Sequence, residues 1–265
     1  MPTRVEYATF SANAYGRPLG LLTHPLPAPW KRVGIHRDLL DVEATGFRAH
    51  IYHNEATQDV VIAYSGTHIA ESGDLSAGWA ILNGRLPLQF DNTNAVYDAV
   101  VQYLKKEDIN ARISFTGHSL GGALAQYMAI PAKGCHAETF GAPGILDALG
   151  VLKSKYDPRY FYPVVNHIAR SDMFGMYGRH LGMTRLYNFD LSDRILPGTL
   201  PFYVTSPPAL AMMLRMSHAI DRYLNAFRRG AGTVIPTGHV SHRNGKTKHK
   251  VKVFNWAGVS RDEYV

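Results

Sequence analysis

The 265-residue chain has a single cysteine, Cys135, so an intrachain disulfide is impossible. This fits a reducing compartment but does not exclude export. The sequence also has no His-Glu-x-x-His motif and no paired-cysteine spacing, and the histidines near its C-terminus alternate with lysines that would repel a cation. We therefore predict no metal site and no cofactor.

Signals for membrane insertion are missing as well. The first ten residues contain Arg4 and Glu6 and no apolar run, so they do not resemble a signal peptide. The most apolar stretch, residues 195–216, is interrupted by prolines, which argue against a membrane-spanning helix. We expect a soluble protein, cytoplasmic as synthesised, with export by a signal-independent route as the alternative.

Acidic residues are outnumbered: 28 Lys and Arg against 21 Asp and Glu give a net charge of +7. Five positive charges cluster near the C-terminus, at Arg243, Lys246, Lys248, Lys250 and Lys252. Asn244-Gly245 lies between two arms of alternating residues there, which is the pattern of a β-hairpin. We predict a hairpin with one basic face, in an extension of residues 231–265 that packs on a main domain of residues 1–230.

The basic face has two explanations. The one we favour is an edge that lysines protect from aggregation. The other is an anionic partner, for which we name an anionic membrane surface. Nucleic acid binding would depend on the hairpin alone, so we do not predict it. If the chain is an effector delivered by a secretion machine, an inhibitor protein would be a further partner.

The rest of the chain alternates strand and helix patterns. Apolar runs typical of buried strands are followed or preceded by helical periodicity, as in the amphipathic stretch 90–106. The predicted strands are 46–53, 59–64, 113–116, 136–140 and 164–169, and an N-terminal helix carries Tyr7 and Phe10. This order predicts an α/β fold whose central sheet is mostly parallel and flanked by helices.

The motif that carries chemistry is Gly117-His118-Ser119-Leu120-Gly121-Gly122, directly after the strand pattern 113–116. It is a G-x-S-x-G nucleophile elbow, and the small-residue helix pattern 123–129 follows it as such an elbow requires. A serine hydroxyl needs a general base and donors for the oxyanion. His118 is expected to pack away from Ser119, because the elbow directs neighbouring side chains elsewhere.

In an α/β-hydrolase the acid and then the histidine follow the serine along the chain. Six acids are candidates: Glu138, Asp147, Asp157, Asp172, Asp190 and Asp193. Asp172 is best placed, because it follows a strand pattern and active sites lie at the carboxyl ends of parallel strands. For the base, His218 at the start of a helix pattern competes with His180.

Five blocks of the chain, between about Tyr7 and Phe227, resemble the class 3 lipase family of α/β-hydrolases. Residues 63–68 resemble its oxyanion block, and Gly117 to Gly122 match its elbow. Thr139-Phe140-Gly141-Ala142-Pro143 matches a further block. The segments around Asp172 and His218, the latter with a tyrosine five residues on, resemble its acid and histidine blocks. His180-Leu181-Gly182 resembles a His-x-Gly that follows the acid, which favours a structural role for His180.

The resemblance implies an α/β-hydrolase fold and a role for each site residue. Ser119 would attack an ester carbonyl, His218 would take its proton, and Asp172 would orient His218. Backbone N–H groups of Thr67 and Leu120 would hold the oxyanion. The reaction would be hydrolysis of a lipid ester, as in a lipase or phospholipase, through an acyl-enzyme.

Two apolar segments bear on the substrate. In the family a lid follows the oxyanion block, and residues 69–83 here carry Leu75, Trp79, Ile81 and Leu82. They would cover an apolar site and open at a lipid surface; the alternative is a plain surface helix. The second segment is the apolar stretch 195–216 before His218, which includes Phe202 and Met213. It would form a wall of an acyl pocket, with core packing as the alternative.

Two further functions stay open on the sequence alone. One is an esterase for small soluble esters. The other is a non-catalytic lipid- or partner-binding member of the fold, which a complete Ser119, Asp172 and His218 set disfavours.

Overall fold

The computed structural model describes residues 1–16, 24–35, 37–66, 89–148, 156–189, 218–230, 233–235, 250–254 and 260–264. Its helices are α1 (Arg4–Asn13), α2 (Arg37–Leu40), α3 (Gln89–Lys106), α4 (Leu120–Met128) and α5 (Ile220–Arg228), with a 3₁₀ turn at Glu43–Thr45. The strands are β1 (Lys31–Val33), β2 (Asp41–Val42), β3 (Phe47–Asn54), β4 (Asp59–Tyr64), β5 (Arg112–His118), β6 (His136–Phe140), β7 (Val164–Ala169), β8 (Met183–Asn188), β9 (Thr233–Ile235), β10 (Lys250–Phe254) and β11 (Ser260–Tyr264).

The central sheet runs in the order β1-β3-β4-β5-β6-β7-β8-β9, with β2 paired to β3. Strands β4 to β8 are parallel, and antiparallel strands close both edges. The register places Tyr64 beside Gly117, and His118 beside Phe140. The carboxyl ends of β4, β5 and β6 therefore meet at one edge, where α/β proteins build their sites.

Helices cover both faces of this sheet. Strand β4 shows how one sequence serves two layers, because all six of its residues are buried. Val61 and Ala63 join the core under α1 and α5, whereas Val60 and Ile62 join the core under α3 and α4. Such doubly covered parallel strands need continuous apolar runs. The α/β architecture predicted from the alternating pattern is confirmed.

The N-terminal helix α1 begins with a capping box. The Thr3 hydroxyl accepts a hydrogen bond from the Glu6 N–H at 3.3 Å, and the Glu6 carboxylate accepts one from the Thr3 N–H at 2.6 Å. The helix then buries Tyr7 and Phe10 against the sheet. This docking brings the end of α1 close to the carboxyl edge of β5.

Four strands of the main sheet are absent from the sequence prediction: the short β1 and β2 at one end of the sheet, and β8 and β9 at the other. Strand β8 pairs parallel with β7, and β9 pairs antiparallel with β8. Strand β9 lies at 233–235, beyond the predicted boundary at residue 230, yet it belongs to the main sheet. The division into 1–230 and 231–265 stays a prediction.

The C-terminal region contains a two-stranded antiparallel ribbon. Strand β10 falls within the predicted second arm, but its partner is the downstream strand β11, with Lys252 opposite Asp262. The sequence did not predict β11. The Asn244-Gly245 turn and the arm before it lie outside the described residues. Within the described ranges, no helix is long and apolar enough to cross a membrane.

Candidate active site

The chain turns sharply at Ser119, between β5 and α4. Ser119 has φ 58° and ψ −129°, a backbone conformation that residues other than glycine rarely adopt and that costs on the order of 1–3 kcal/mol. The turn needs glycines, because a Cβ at Gly121 would lie 2.1 Å from the Tyr64 carbonyl oxygen and one at Gly117 would lie 2.3 Å from that of Gly121. The elbow therefore holds Ser119 at the carboxyl edge of β5, partly exposed.

Ser119, His218 and Asp172 form a hydrogen-bonded line. His218 Nε2 lies 2.7 Å from the Ser119 Oγ, and His218 Nδ1 lies 2.8 Å and 3.0 Å from the two Asp172 carboxylate oxygens. Since a carboxylate only accepts, Nδ1 carries the proton and Nε2 accepts from the serine hydroxyl. The structure thus brings together three residues that lie 46 and 99 positions from one another.

Asp172 lies in the loop after β7 and is completely buried. Burial raises the pKa of its carboxyl, but the attraction of His218 and hydrogen bonds from His218 and the Gly175 N–H outweigh burial, so the pKa lies below its usual value. Gly175 N–H donates at 3.0 Å. The carboxylate is therefore held ionised in position to orient His218.

Tyr223 is a further partner of Asp172. Its hydroxyl donates to Asp172 Oδ2 at 2.9 Å and accepts from the Ala169 N–H at 2.9 Å. Burial, together with the nearby Asp172 charge, raises the pKa of Tyr223 well above its usual value, so it stays a donor. From the sequence we noted a tyrosine five residues after His218 but assigned it no role; this hydrogen bond supplies one.

His218 is held by more than Asp172. The His118 Nε2 lies 2.5 Å from the His218 carbonyl oxygen, and the two rings are 4.6 Å apart. Phe174 lies on the same loop as Asp172, and the centroid of its ring is 5.0 Å from that of the His218 ring. His118 does not contact the serine hydroxyl, but it is more than a packing residue, because it binds the main chain of His218.

The predicted oxyanion donors are only partly described. Leu120 is the first residue of α4, so its N–H is among those that a helix leaves without an internal partner. Thr67 lies outside the described residues, but Gly66 before it lies beside the elbow: a Cβ there would be 3.1 Å from the Ser119 Cβ. The end of β4 thus reaches the serine.

The competing candidates have other partners. His180 Nε2 bonds the Ala142 carbonyl at 2.8 Å. The alternative acids bind basic side chains: Asp147 pairs with Arg179, Asp157 with Arg159, and Glu138 with His136 and His167. Asp190, Asp193 and the predicted lid and wall residues lie outside the described residues; the latter are Leu75, Trp79, Ile81, Leu82, Phe202 and Met213. In the part of the chain that is described, no three His, Cys, Asp or Glu side chains cluster so as to hold a metal ion.

The mostly parallel sheet flanked by helices, with a sharp strand-to-helix turn at Ser119 between β5 and α4, defines an α/β-hydrolase fold. Residues 6–152 match the family described as phospholipase-like, Tle-like phospholipase domain. Since this match spans more than half of the 265 residues, the chain belongs to that family. A search with this chain found no match among curated protein sequences.

Several solved lipases are similar in structure. The Lip2 lipase from Yarrowia lipolytica is 14% identical with a TM-score of 0.47, over 70% of this chain and 77% of that chain. Lipase II from Rhizopus niveus is 16% identical with a TM-score of 0.46, over 68% and 78%. The triacylglyceride lipase of Rhizomucor miehei is 16% identical with a TM-score of 0.48, over 69% and 77%.

Proposed function

We propose that this protein hydrolyses carboxylic ester bonds of lipids, with phospholipid as its substrate class, through Ser119 and an acyl-enzyme. The observation that carries the proposal is the hydrogen-bonded line from Ser119 Oγ to His218 Nε2 and from His218 Nδ1 to Asp172. Membership of a phospholipase-like family supports phospholipid over other esters.

In the first half-reaction, Ser119 Oγ would form a bond to the ester carbonyl carbon while its proton passes to His218 Nε2. The imidazolium would be stabilised by the buried Asp172 carboxylate, which stays ionised. The carbonyl oxygen would carry the negative charge beside the Leu120 N–H and residue 67. Collapse of this intermediate would break the carbon–oxygen bond to the alcohol, which would leave with the proton from His218.

In the second half-reaction, water would take the place of the alcohol. His218 would accept a proton from the water molecule while the water oxygen attacks the acyl-serine carbonyl carbon. The same donors would hold the second oxyanion. Its collapse would release the fatty acid and return the proton to Ser119, which restores the starting state.

The test is hydrolysis of phosphatidylglycerol vesicles beside triglyceride emulsion and short- and long-chain p-nitrophenyl esters. We expect the wild type to release fatty acid from the vesicles and Ser119→Ala to release none, while Ser171→Ala, which removes a hydroxyl that accepts from Arg222, stays active. Turnover of the soluble esters alone would contradict the lipid assignment. A folded wild type that turns over none of these substrates would favour a binding role.

We further propose that the basic segment of residues 239–252 attaches the protein to anionic membranes. Replacing Lys246, Lys248, Lys250 and Lys252 by glutamine removes four charges, each contributing about 1 kcal/mol of attraction near an anionic surface. We expect sedimentation with phosphatidylglycerol vesicles to weaken strongly and p-nitrophenyl ester turnover to stay unchanged. Vesicle binding that survives the four substitutions would contradict this role.

A further inference from the structure

A pair of side chains outside the triad, the buried His118 and the partly buried Tyr15, connects the end of α1 to the candidate base. The Tyr15 hydroxyl lies 2.7 Å from His118 Nδ1, and His118 Nε2 lies 2.5 Å from the His218 carbonyl oxygen. Tyr15 follows directly on the last turn of α1, and His118 is the last residue of β5. Two segments that are 103 positions apart therefore combine to hold the residue that bonds Ser119.

The hydrogen-bond directions in this pair follow from its last acceptor. A carbonyl oxygen only accepts, so His118 Nε2 must carry a proton. Burial, followed by the proximity of His218, lowers the pKa of His118 to about 3, so the ring is neutral and its Nδ1 has a free lone pair. Burial also raises the pKa of Tyr15, so its hydroxyl donates to that Nδ1. One tautomer of His118 satisfies every atom.

The neutral state of His118 matters for its neighbour. With ring centroids 4.6 Å apart, a charged His118 would repel the imidazolium that must form on His218. A neutral ring instead binds the His218 main chain without competing for its proton. His218 is thus held at its side chain by Asp172 and at its backbone by His118.

Tyr15 also touches the end of β4. A Cβ at Gly66 would lie 2.2 Å from the Tyr15 hydroxyl oxygen and 2.8 Å from the His118 carbonyl oxygen. The glycine therefore lets the tyrosine reach the elbow. The Tyr15 main chain is in turn bound by Arg48 of β3, whose guanidinium donates to the Tyr15 carbonyl at 3.0 Å.

We infer that Tyr15 and His118 are positioning residues for the proposed reaction: the Tyr15 hydroxyl selects the His118 tautomer, and His118 fixes the backbone of His218 so that Nε2 faces Ser119. This inference depends on the proposed function, because it concerns the efficiency of that same site. His118 bonds the His218 main chain and Tyr15 bonds His118, so both residues act on the reaction through the position of His218.

The test compares Tyr15→Phe, His118→Leu and His118→Gln, with sites titrated by a fluorophosphonate and kcat given per titrated site. Because displacement of about 1 Å costs on the order of 100-fold, we expect His118→Leu to lower kcat about 100-fold at nearly constant KM. Glutamine places an amide N–H near Nε2, so His118→Gln should regain most of this loss. Tyr15→Phe should lower kcat about 10-fold.

A double variant separates positioning from general stabilisation. If Tyr15 acts through His118, Tyr15→Phe should lower kcat in the wild type but not further in His118→Leu. The matched control is Tyr52→Phe, which removes the hydroxyl of another buried tyrosine–histidine pair, Tyr52 with His50 at 3.2 Å on β3. It should change the melting temperature and leave kcat unchanged.

Two results would overturn the inference. One is a His118→Leu protein that keeps kcat per titrated site within twofold of an active wild type. The other is a Tyr15→Phe effect of equal size in both backgrounds. If instead the wild type itself shows no esterase activity and no fluorophosphonate labelling, the proposed function fails, and the positioning role fails with it.

Discussion

Gly141 shows how closely the candidate site is packed at the level of single atoms. It has φ +54°, and a Cβ there would lie 2.5 Å from Asp172 Oδ2 and 3.2 Å from the Tyr223 hydroxyl. The glycine of the Phe140-Gly141-Ala142-Pro143 block therefore has a physical reason. The backbone passes directly beneath the carboxylate that orients His218.

We predict that Gly141→Ala lowers kcat by at least about 100-fold, because the methyl group must displace Asp172. The matched control is Gly230→Ala, since Gly230 has a similar φ of +63° but nothing within 4 Å of its Cβ position. Both variants carry the strain of a positive φ, so stability measured by thermal melting should fall in both. Activity should fall in Gly141→Ala alone; an equal loss in both would contradict steric displacement.

Tyr223 allows a second prediction at the residue scale. Removing its hydroxyl leaves Asp172 without one of its donors but leaves His218 and Gly175 in place. We expect Tyr223→Phe to lower kcat about 10-fold, in line with the loss of a hydrogen bond to a charged group. Asp172→Asn should lower kcat far more, on the order of 10⁴-fold, because it favours the wrong tautomer of His218.

The measurement for both substitutions is kcat on a long-chain ester. Tyr187→Phe is the control for Tyr223→Phe, because Tyr187 is another buried tyrosine whose hydroxyl bonds His167 and not the triad. Equal effects of Tyr223→Phe and Tyr187→Phe would show that the loss reflects general destabilisation.

At the scale of elements, the sequence predicts the centre of the sheet better than its edges. Strands β4, β6 and β7 have the predicted bounds. For β4 the reason is its continuous apolar run, which a strand covered on both faces needs. Strand β8 reads Met-Thr-Arg-Leu-Tyr-Asn and is mostly half-buried, so no alternation marks it. Pairing with β7 defines it, and such pairing is invisible along the sequence.

The candidate site divides in the same way. Ser119 can be predicted from the local sequence, because the elbow needs glycines within four residues of one another. The contacts of Asp172 with Tyr223 and of Tyr15 with His118 span 51 and 103 positions, and only the folded sheet brings them together. Sequence reasoning therefore named Ser119, Asp172 and His218 as the candidate site but assigned no hydrogen-bonding role to the tyrosines beside them.

The start of α1 yields a prediction about one element. Thr3→Ala removes the side chain that accepts from Glu6, and loss of such a cap typically costs about 1 kcal/mol. We expect the urea midpoint to fall while Thr3→Ser keeps the wild-type value. Although α1 leads directly to Tyr15, the cap lies at the opposite end of the helix, so kcat per titrated site should stay unchanged as long as the protein is folded. A fall in kcat without a fall in stability would contradict a purely capping role.

At the scale of the whole molecule, a line of hydrogen-bonded side chains with a buried middle links four elements on the face of the sheet under α1. Arg4 donates to the Tyr187 hydroxyl at 3.1 Å, Tyr187 bonds His167 Nδ1 at 2.9 Å, and His167 Nε2 bonds the Glu138 carboxylate. These residues belong to α1, β8, β7 and β6. These hydrogen bonds hold β6, β7 and β8 together by polar contacts in addition to apolar packing.

Two groups in this chain make stability depend on pH in the same direction. Burial raises the pKa of Glu138, but hydrogen bonds from His136 and His167 outweigh it and lower the pKa from 4.5 to about 2. Burial lowers the pKa of His167 despite the nearby Glu138. The unfolded chain therefore binds protons that the folded protein resists, first at histidine and then at glutamate, so stability falls as the pH falls.

We predict that Glu138→Gln lowers the free energy of unfolding at pH 7 and that this deficit shrinks as the pH falls from 4.5 towards 2. A fall in pKa from 4.5 to about 2 corresponds to about 3 kcal/mol, which the wild type loses over that range and the variant does not. Urea unfolding from pH 7 to pH 2 measures it. Glu55→Gln is the control, because Glu55 forms an exposed pair with Lys31 and should change stability by less than about 1 kcal/mol at every pH. A Glu138→Gln deficit that stays constant across the range would mean that shape and packing, and not the charge of Glu138, account for its contribution.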